Sequence, residues 1–178
     1  MHKHESHGEE DISFYDFFIP FTSKKAIILI VIIGFLVFFN ALFGNFVLDD
    51  VAYIIDYPGF HTLNFLELIA GNLYNSGGQY RPLPALYFLI LYKVFGDFPF
   101  FYHLLQLLLH LTNTILLFLV FNKFFKKPIS FVLSIIFLIH PIQIESIAYI
   151  ASSDNPLFFL FGITALLLSL SKKISVKK

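Results

Sequence analysis

The chain has 178 residues, of which 57% are hydrophobic, 19% aromatic and 13% charged. A water-soluble domain carries about a quarter of charged residues, so this composition excludes an ordinary soluble fold and points to a protein built for lipid. Twelve Lys and Arg balance twelve Asp and Glu, which leaves no basic surplus for nucleic acid; the absence of cysteine excludes disulfides, thiolate metal sites and a cysteine nucleophile.

The first 25 residues, MHKHESHGEEDISFYDFFIPFTSKK, mix acids with bases, and no small-residue cleavage site follows the next apolar run. The segment does not read as a signal peptide. His2, His4 and His7 lie in this polar segment and read as solvated side chains, whereas the aromatic-rich stretch Ile12 to Phe21 is expected at the membrane interface. A membrane-spanning helix needs ~20 apolar residues, because the hydrocarbon core is ~30 Å thick. Four segments approach this: Ala26 to Gly44, Phe101 to Phe121, Ile129 to Ile147, and Pro156 to Ser171. The last is short, but Ser152, Ser153 and Asp154 can cap it, and Pro156 suits a first helical turn. Leu83 to Phe95 is too short to cross and reads as a helix lying in the interface.

The sequence thus predicts an all-α integral membrane protein with four transmembrane helices. A cytoplasmic segment (1–25) leads into a membrane domain (26–171), and a basic cytoplasmic tail (172–178) ends it. Residues 45–100 form a long loop between spans one and two. The loop has turn signals at Tyr57-Pro58-Gly59 and Asn75-Ser76-Gly77-Gly78, with a short amphipathic helix expected from Leu63 to Leu73. Lys24 and Lys25, the cluster Lys123, Lys126 and Lys127, and Lys172, Lys173, Lys177 and Lys178 then share one side. The positive-inside rule makes that side cytoplasmic and the long loop external. Both termini are therefore expected in the cytoplasm, and the chain in the cytoplasmic (inner) membrane.

Polar residues inside apolar spans are costly and informative. In the second span, YHLLQLLLHLTNTILLFLV, the residues His103, Gln106, His110 and Asn113 recur at helical spacing and form one stripe. The deeper three read best as hydrogen-bonding glue between helices, whereas His103, near the outer end, is as consistent with a site. The third span ends in HPIQIESIAYI, where Pro141 should kink the helix at His140 and Glu145 is an ionisable group at the boundary. The first span is followed by FVLDDVAYI, which puts Asp49 and Asp50 at the same boundary. Arg81, in QYRPLPALY, is the only arginine, and its planar fork of donors suits a lipid phosphate as a specific ligand or as bulk headgroup.

In this order, FVLDDVAYI, QYRPLPALY, YHLLQLLLHLTN and HPIQIESIAYI resemble the membrane part of the C-type glycosyltransferase superfamily. Within it, they look closest to the transmembrane and tetratricopeptide-repeat O-mannosyltransferases and their bacterial relatives. The resemblance implies transfer of a sugar, with mannose as the candidate, from a polyprenyl-phosphate donor to an acceptor hydroxyl on the outer face. It implies that the acid pair Asp49 and Asp50 carries the catalytic carboxylate. Neighbouring residues point in different directions, so Asp49 is expected as general base and Asp50 as the residue that orients it or the backbone. Arg81 and His140 are expected on the donor phosphate, and Glu145, His103 and Asp154 complete the candidate substrate-binding set. Members of the superfamily have more spans than four, and carry an arginine where this chain has Ala151-Ser152-Ser153-Asp154. The chain is therefore expected to match an amino-terminal portion, as a fragment, as a split subunit working with a downstream membrane subunit, or as a truncated or degenerate relative of such an enzyme. A divalent metal is compatible with these acids and histidines but not required by them. The competing reading is a non-catalytic membrane scaffold or lipid-binding subunit; a channel or transporter is disfavoured by the lack of internal repeats and of paired broken helices.

Overall fold

The computed structural model describes residues 21–56 and 82–176. The amphipathic helix expected at 63–73, both loop turns, Arg81 and nearly all of the expected amino-terminal interfacial stretch lie outside the described residues. Among the described residues there are six α-helices and no strand. Helix α1 is Ser23–Phe38 and runs on through a tighter 3₁₀ segment, Phe39–Phe43. Its start is capped by Thr22, whose hydroxyl accepts from the Lys25 amide at 3.2 Å. One turn of π-helix follows at Val51–Ile55. Helix α2 is Pro82–Phe95, α3 is Pro99–Phe121, and α4 is Lys127–Ile139. After a 3₁₀ turn at Pro141–Gln143 come α5, Ile144–Ala148, and finally α6, Asp154–Val176.

Among the described residues, three stretches are long and apolar enough to cross a membrane: Ser23–Phe43, Pro99–Phe121 and Ile150–Ser171. A fourth crossing results if Lys127–Ile139 and Pro141–Ala148, bent by 52°, count as one span. The protein is thus an integral membrane protein that is all-helical over its described residues, with three or four candidate crossings among them. Helix α2, at ~1.5 Å per residue, is ~21 Å long and falls short of the hydrocarbon thickness.

Helix α3 is the axis of the bundle, packing against α6, α4 and α1, while α1 also lies on α4. Contact is close where α1 crosses its neighbours. A methyl group added to Gly34 would run into the Leu111 side chain and stand 3.3 Å from Leu138 Cδ1. Small residues permit such approach in lipid, where dispersion rather than water exclusion holds helices together. Ala26, Ile30, Leu107, Leu111, Phe118 and Leu138 fill the resulting core. A second cluster joins Ile54, the buried face of α2, Tyr102 and Ile150 at the end where α3 begins.

The polar stripe on α3 holds backbone. Gln106 donates to the Ile150 carbonyl at 3.3 Å, His110 Nε2 to the Leu138 carbonyl at 3.1 Å, and Asn113 to the Pro156 carbonyl at 2.9 Å. The His110 bond follows from the break between α4 and α5. Pro141 ends the helix, and His140 Nδ1 accepts from the Ile142 amide at 3.3 Å. In a continuous helix that amide would bond the Leu138 carbonyl, four residues back. The freed carbonyl needs another donor inside the membrane, and His110 supplies it.

The ends of the bundle differ chemically. Asn122 Nδ2, just past α3, donates to Ser23 Oγ at the start of α1 at 3.4 Å, so the lysines at 24, 25, 123, 126 and 127 gather at one end. Asp49 and Asp50 lie at the other, beside the start of α3.

Candidate functional site: the acid corner

Past Gly44 the chain makes a tight turn before the π-helical segment. Leu48 has φ of 48°, a left-handed conformation that costs an ordinary side chain about 1–2 kcal/mol. The turn is closed by the Asp50 amide on the Val47 carbonyl at 2.9 Å and by the Val47 amide on Asp50 Oδ2 at 3.1 Å. Its effect is to send two successive carboxylates opposite ways. Asp50 is fully buried, whereas Asp49 is exposed.

Asp50 is a clamp. Besides the Val47 amide, its Oδ1 accepts from the Ala151 amide at 2.7 Å, tying the segment after α1 to the turn before α6. Burial pushes its pKa above the ordinary 3.8, against the pull of hydrogen bonds from the Val47 and Ala151 backbone and of nearby His103. Asp49 is held differently: the Tyr149 hydroxyl donates to its Oδ2 at 2.8 Å. The phenol is pushed up to about 12, first by burial and then by its bond to Asp49 and that residue's charge. It is therefore a neutral donor at every physiological pH. Among the described residues no hydrogen bond reaches Asp49 Oδ1.

His103 is 2% exposed and stands behind the acids, with neither ring nitrogen hydrogen-bonded within the described residues. Gly44 makes room for it: a Cβ there would sit 3.0 Å from His103 Nε2. The other sequence candidates lie apart from this pair of bridges. His140 is exposed at the α4–α5 break, where its ring caps the turn, and Glu145 is exposed on α5. Asp154 is half-buried; its Oδ1 accepts from the Asn155 amide at 3.1 Å, and it lines an apolar cleft of about 500 Å³ with Pro82, Pro84, Leu157 and Phe158. Arg81 precedes that cleft in sequence but lies outside the described residues. Among the described residues no group of three or more His, Asp or Glu side chains could hold a metal ion.

Tyr149 is the partner that sequence reasoning missed. It lies inside the quoted IESIAYI motif, but a tyrosine at a span's end reads first as an interfacial anchor, and only the fold reveals that it meets Asp49. Chemically the corner offers an exposed carboxylate, fixed through one oxygen and with no hydrogen bond on the other among the described residues. Its neighbouring carboxylate is used up in backbone bonds.

No protein-family model and no solved structure matches the chain. Several curated proteins do. Protein O-mannosyl-transferase TMTC3 of Homo sapiens is 30% identical over 151 residues, covering 80% of this chain and 16% of the human protein. Human protein O-mannosyl-transferase TMTC1 is 31% identical over 141 residues, covering 72% of this chain and 16% of its own length. A protein O-mannosyl-transferase of Caenorhabditis elegans is 25% identical over 165 residues, covering 84% of this chain and 23% of the nematode protein. The chain therefore spans under a quarter of the length of these relatives. Over most of its own length it is a homologue of proteins named protein O-mannosyl-transferases.

Proposed function

We propose that the chain is a sugar-transfer module of the cytoplasmic membrane, moving mannose from a polyprenyl-phosphate donor to an acceptor hydroxyl on the outer face. The observation that carries this reading is the acid corner: an exposed Asp49 carboxylate held by Tyr149, beside a buried Asp50 that fixes the backbone on both sides. Asp49 takes the proton of the acceptor hydroxyl as its oxygen attacks the anomeric carbon. The bond from that carbon to the phosphate oxygen breaks, and the phosphate leaves with the electron pair. A base helps only within hydrogen-bond reach of the proton, which favours an acid placed at the headgroup level where a lipid phosphate lies. Arg81 and His140 are assigned to the growing phosphate charge, which hydrogen-bond donors aimed at it would stabilise. Glu145, His103 and Asp154 remain substrate-binding candidates on sequence grounds; His103, buried behind the acids, has the best claim of the three.

Names of the relatives support the sugar and the reaction class, and the burial of Asp50 against the exposure of Asp49 supports the division of labour. The test is transfer by membranes containing the chain, supplied with radiolabelled mannose on polyprenyl phosphate or on a nucleotide. Transfer from the lipid donor alone is expected. No transfer from it, or transfer from the nucleotide sugar instead, would overturn the reading.

A further inference from the structure

We infer that Tyr149 is a positioning residue for Asp49: its hydroxyl fixes one carboxylate oxygen so that the other faces the acceptor. The inference rests on the reading of Asp49 as the general base and extends it to a residue that no catalytic pattern in the sequence marks.

Two bridges join the same two backbone segments in parallel. Asp50 Oδ1 takes the Ala151 amide at 2.7 Å, and Asp49 Oδ2 takes the Tyr149 hydroxyl at 2.8 Å. The first sets the register, since Asp50 is fully buried and its second oxygen is held by the Val47 amide at 3.1 Å. With that register fixed, the residue before Asp50 meets the residue two before Ala151. Tyr149 is itself anchored. Its amide donates to the Glu145 carbonyl at 3.1 Å, and its extended backbone closes α5 just before the turn Ile150–Ser152. Ile150, its neighbour, is fully buried in the cluster formed with Ile54, Phe88 and Tyr102.

The bond matters because Asp49 is exposed. An exposed aspartate samples several rotamers, and only a fraction of them present an oxygen to a bound hydroxyl. Fixing one oxygen removes that search. Preorganisation of this kind affects the chemical step, and misplacement by about 1 Å can cost ~10²-fold in rate. It does not bear on donor capture, because Tyr149 presents its hydroxyl to the base rather than to the donor. A purely structural tie predicts something else: loss of activity whatever stands at position 49.

A double-mutant cycle on the whole chain separates these cases, with mannose transfer from polyprenyl-phosphate mannose as the readout. Tyr149→Phe removes only the hydroxyl. Its kcat is expected to fall roughly tenfold or more, with KM for the lipid donor unchanged. In an Asp49→Asn background the same change should cost less than about twofold, because residues that act as a unit do not add. Wild-type kcat in Tyr149→Phe, or an equal loss in both backgrounds, overturns the positioning role while leaving Asp49 as base. Full transfer by Asp49→Asn removes the underlying reading of the base, and the inference with it.

Discussion

At the scale of single residues, Asp50 contributes to stability with the opposite sign to that of a salt-bridged aspartate. Burial holds its pKa above 3.8 in the folded protein, whereas the unfolded chain has the ordinary value. Between those two values the folded state binds more protons than the unfolded one, so this group's contribution falls as pH rises through that interval and is level above it. Asp50→Asn removes the titration but turns an amide NH₂ toward either the Val47 or the Ala151 amide. It is expected to lower stability by about 1–3 kcal/mol at neutral pH. Thermal melts in detergent from about pH 4 upward should then show wild type losing stability relative to the Asn variant as pH rises. A pH-independent difference would contradict the burial effect. The acid pair stood out in the sequence as a candidate, because two carboxylates directly behind an apolar span are conspicuous. Which of the two faces solvent was not legible. That depends on the left-handed Leu48, a conformation that leucine's own preferences argue against.

At the scale of elements, the break between α4 and α5 links three residues into one account. Proline removes a helical donor, His140 takes the next amide, and His110 on another helix repays the exposed carbonyl. His110→Phe should therefore destabilise the bundle by about 1 kcal/mol, the scale of interhelical hydrogen bonds in membranes. In a Pro141→Ala background the Ile142 amide can return to the Leu138 carbonyl, so the same change should cost clearly less. Unfolding equilibria of the four proteins in bicelles measure this coupling, and strict additivity would show that the two sites are independent. The kink was legible from His140-Pro141, since proline's geometry is local. The bond from His110 was not. Helical spacing shows that His103, Gln106, His110 and Asn113 share a face, but cannot say which carbonyl each will meet, and those partners lie 28 to 44 residues away for His110, Gln106 and Asn113.

At the scale of the molecule, Lys24, Lys25, Lys123, Lys126 and Lys127 gather at one end of the bundle and Asp49 and Asp50 lie at the other. Run length and composition were enough to locate the helices, because the bilayer fixes how long an apolar helix must be. The bend of 52° is what leaves the number of crossings at three or four. With four crossings, the positive-inside rule would put the lysine end in the cytoplasm and the acid corner outside. Cysteines introduced at Asn75 and Ser175 report this orientation: on intact cells an impermeant thiol reagent should label the first and spare the second. Labelling at Ser175, or none at Asn75, would reject it. Sugar transfer at the acid corner is tested most directly by the transfer rate of Asp49→Asn, which keeps the shape of the side chain and removes the proton acceptor. With polyprenyl-phosphate mannose as donor, the rate should fall ~10²–10⁴-fold while the melting temperature stays near that of wild type. Undiminished transfer by the folded variant would contradict a catalytic Asp49 and leave the acid pair as a cap on the turn that follows the first span.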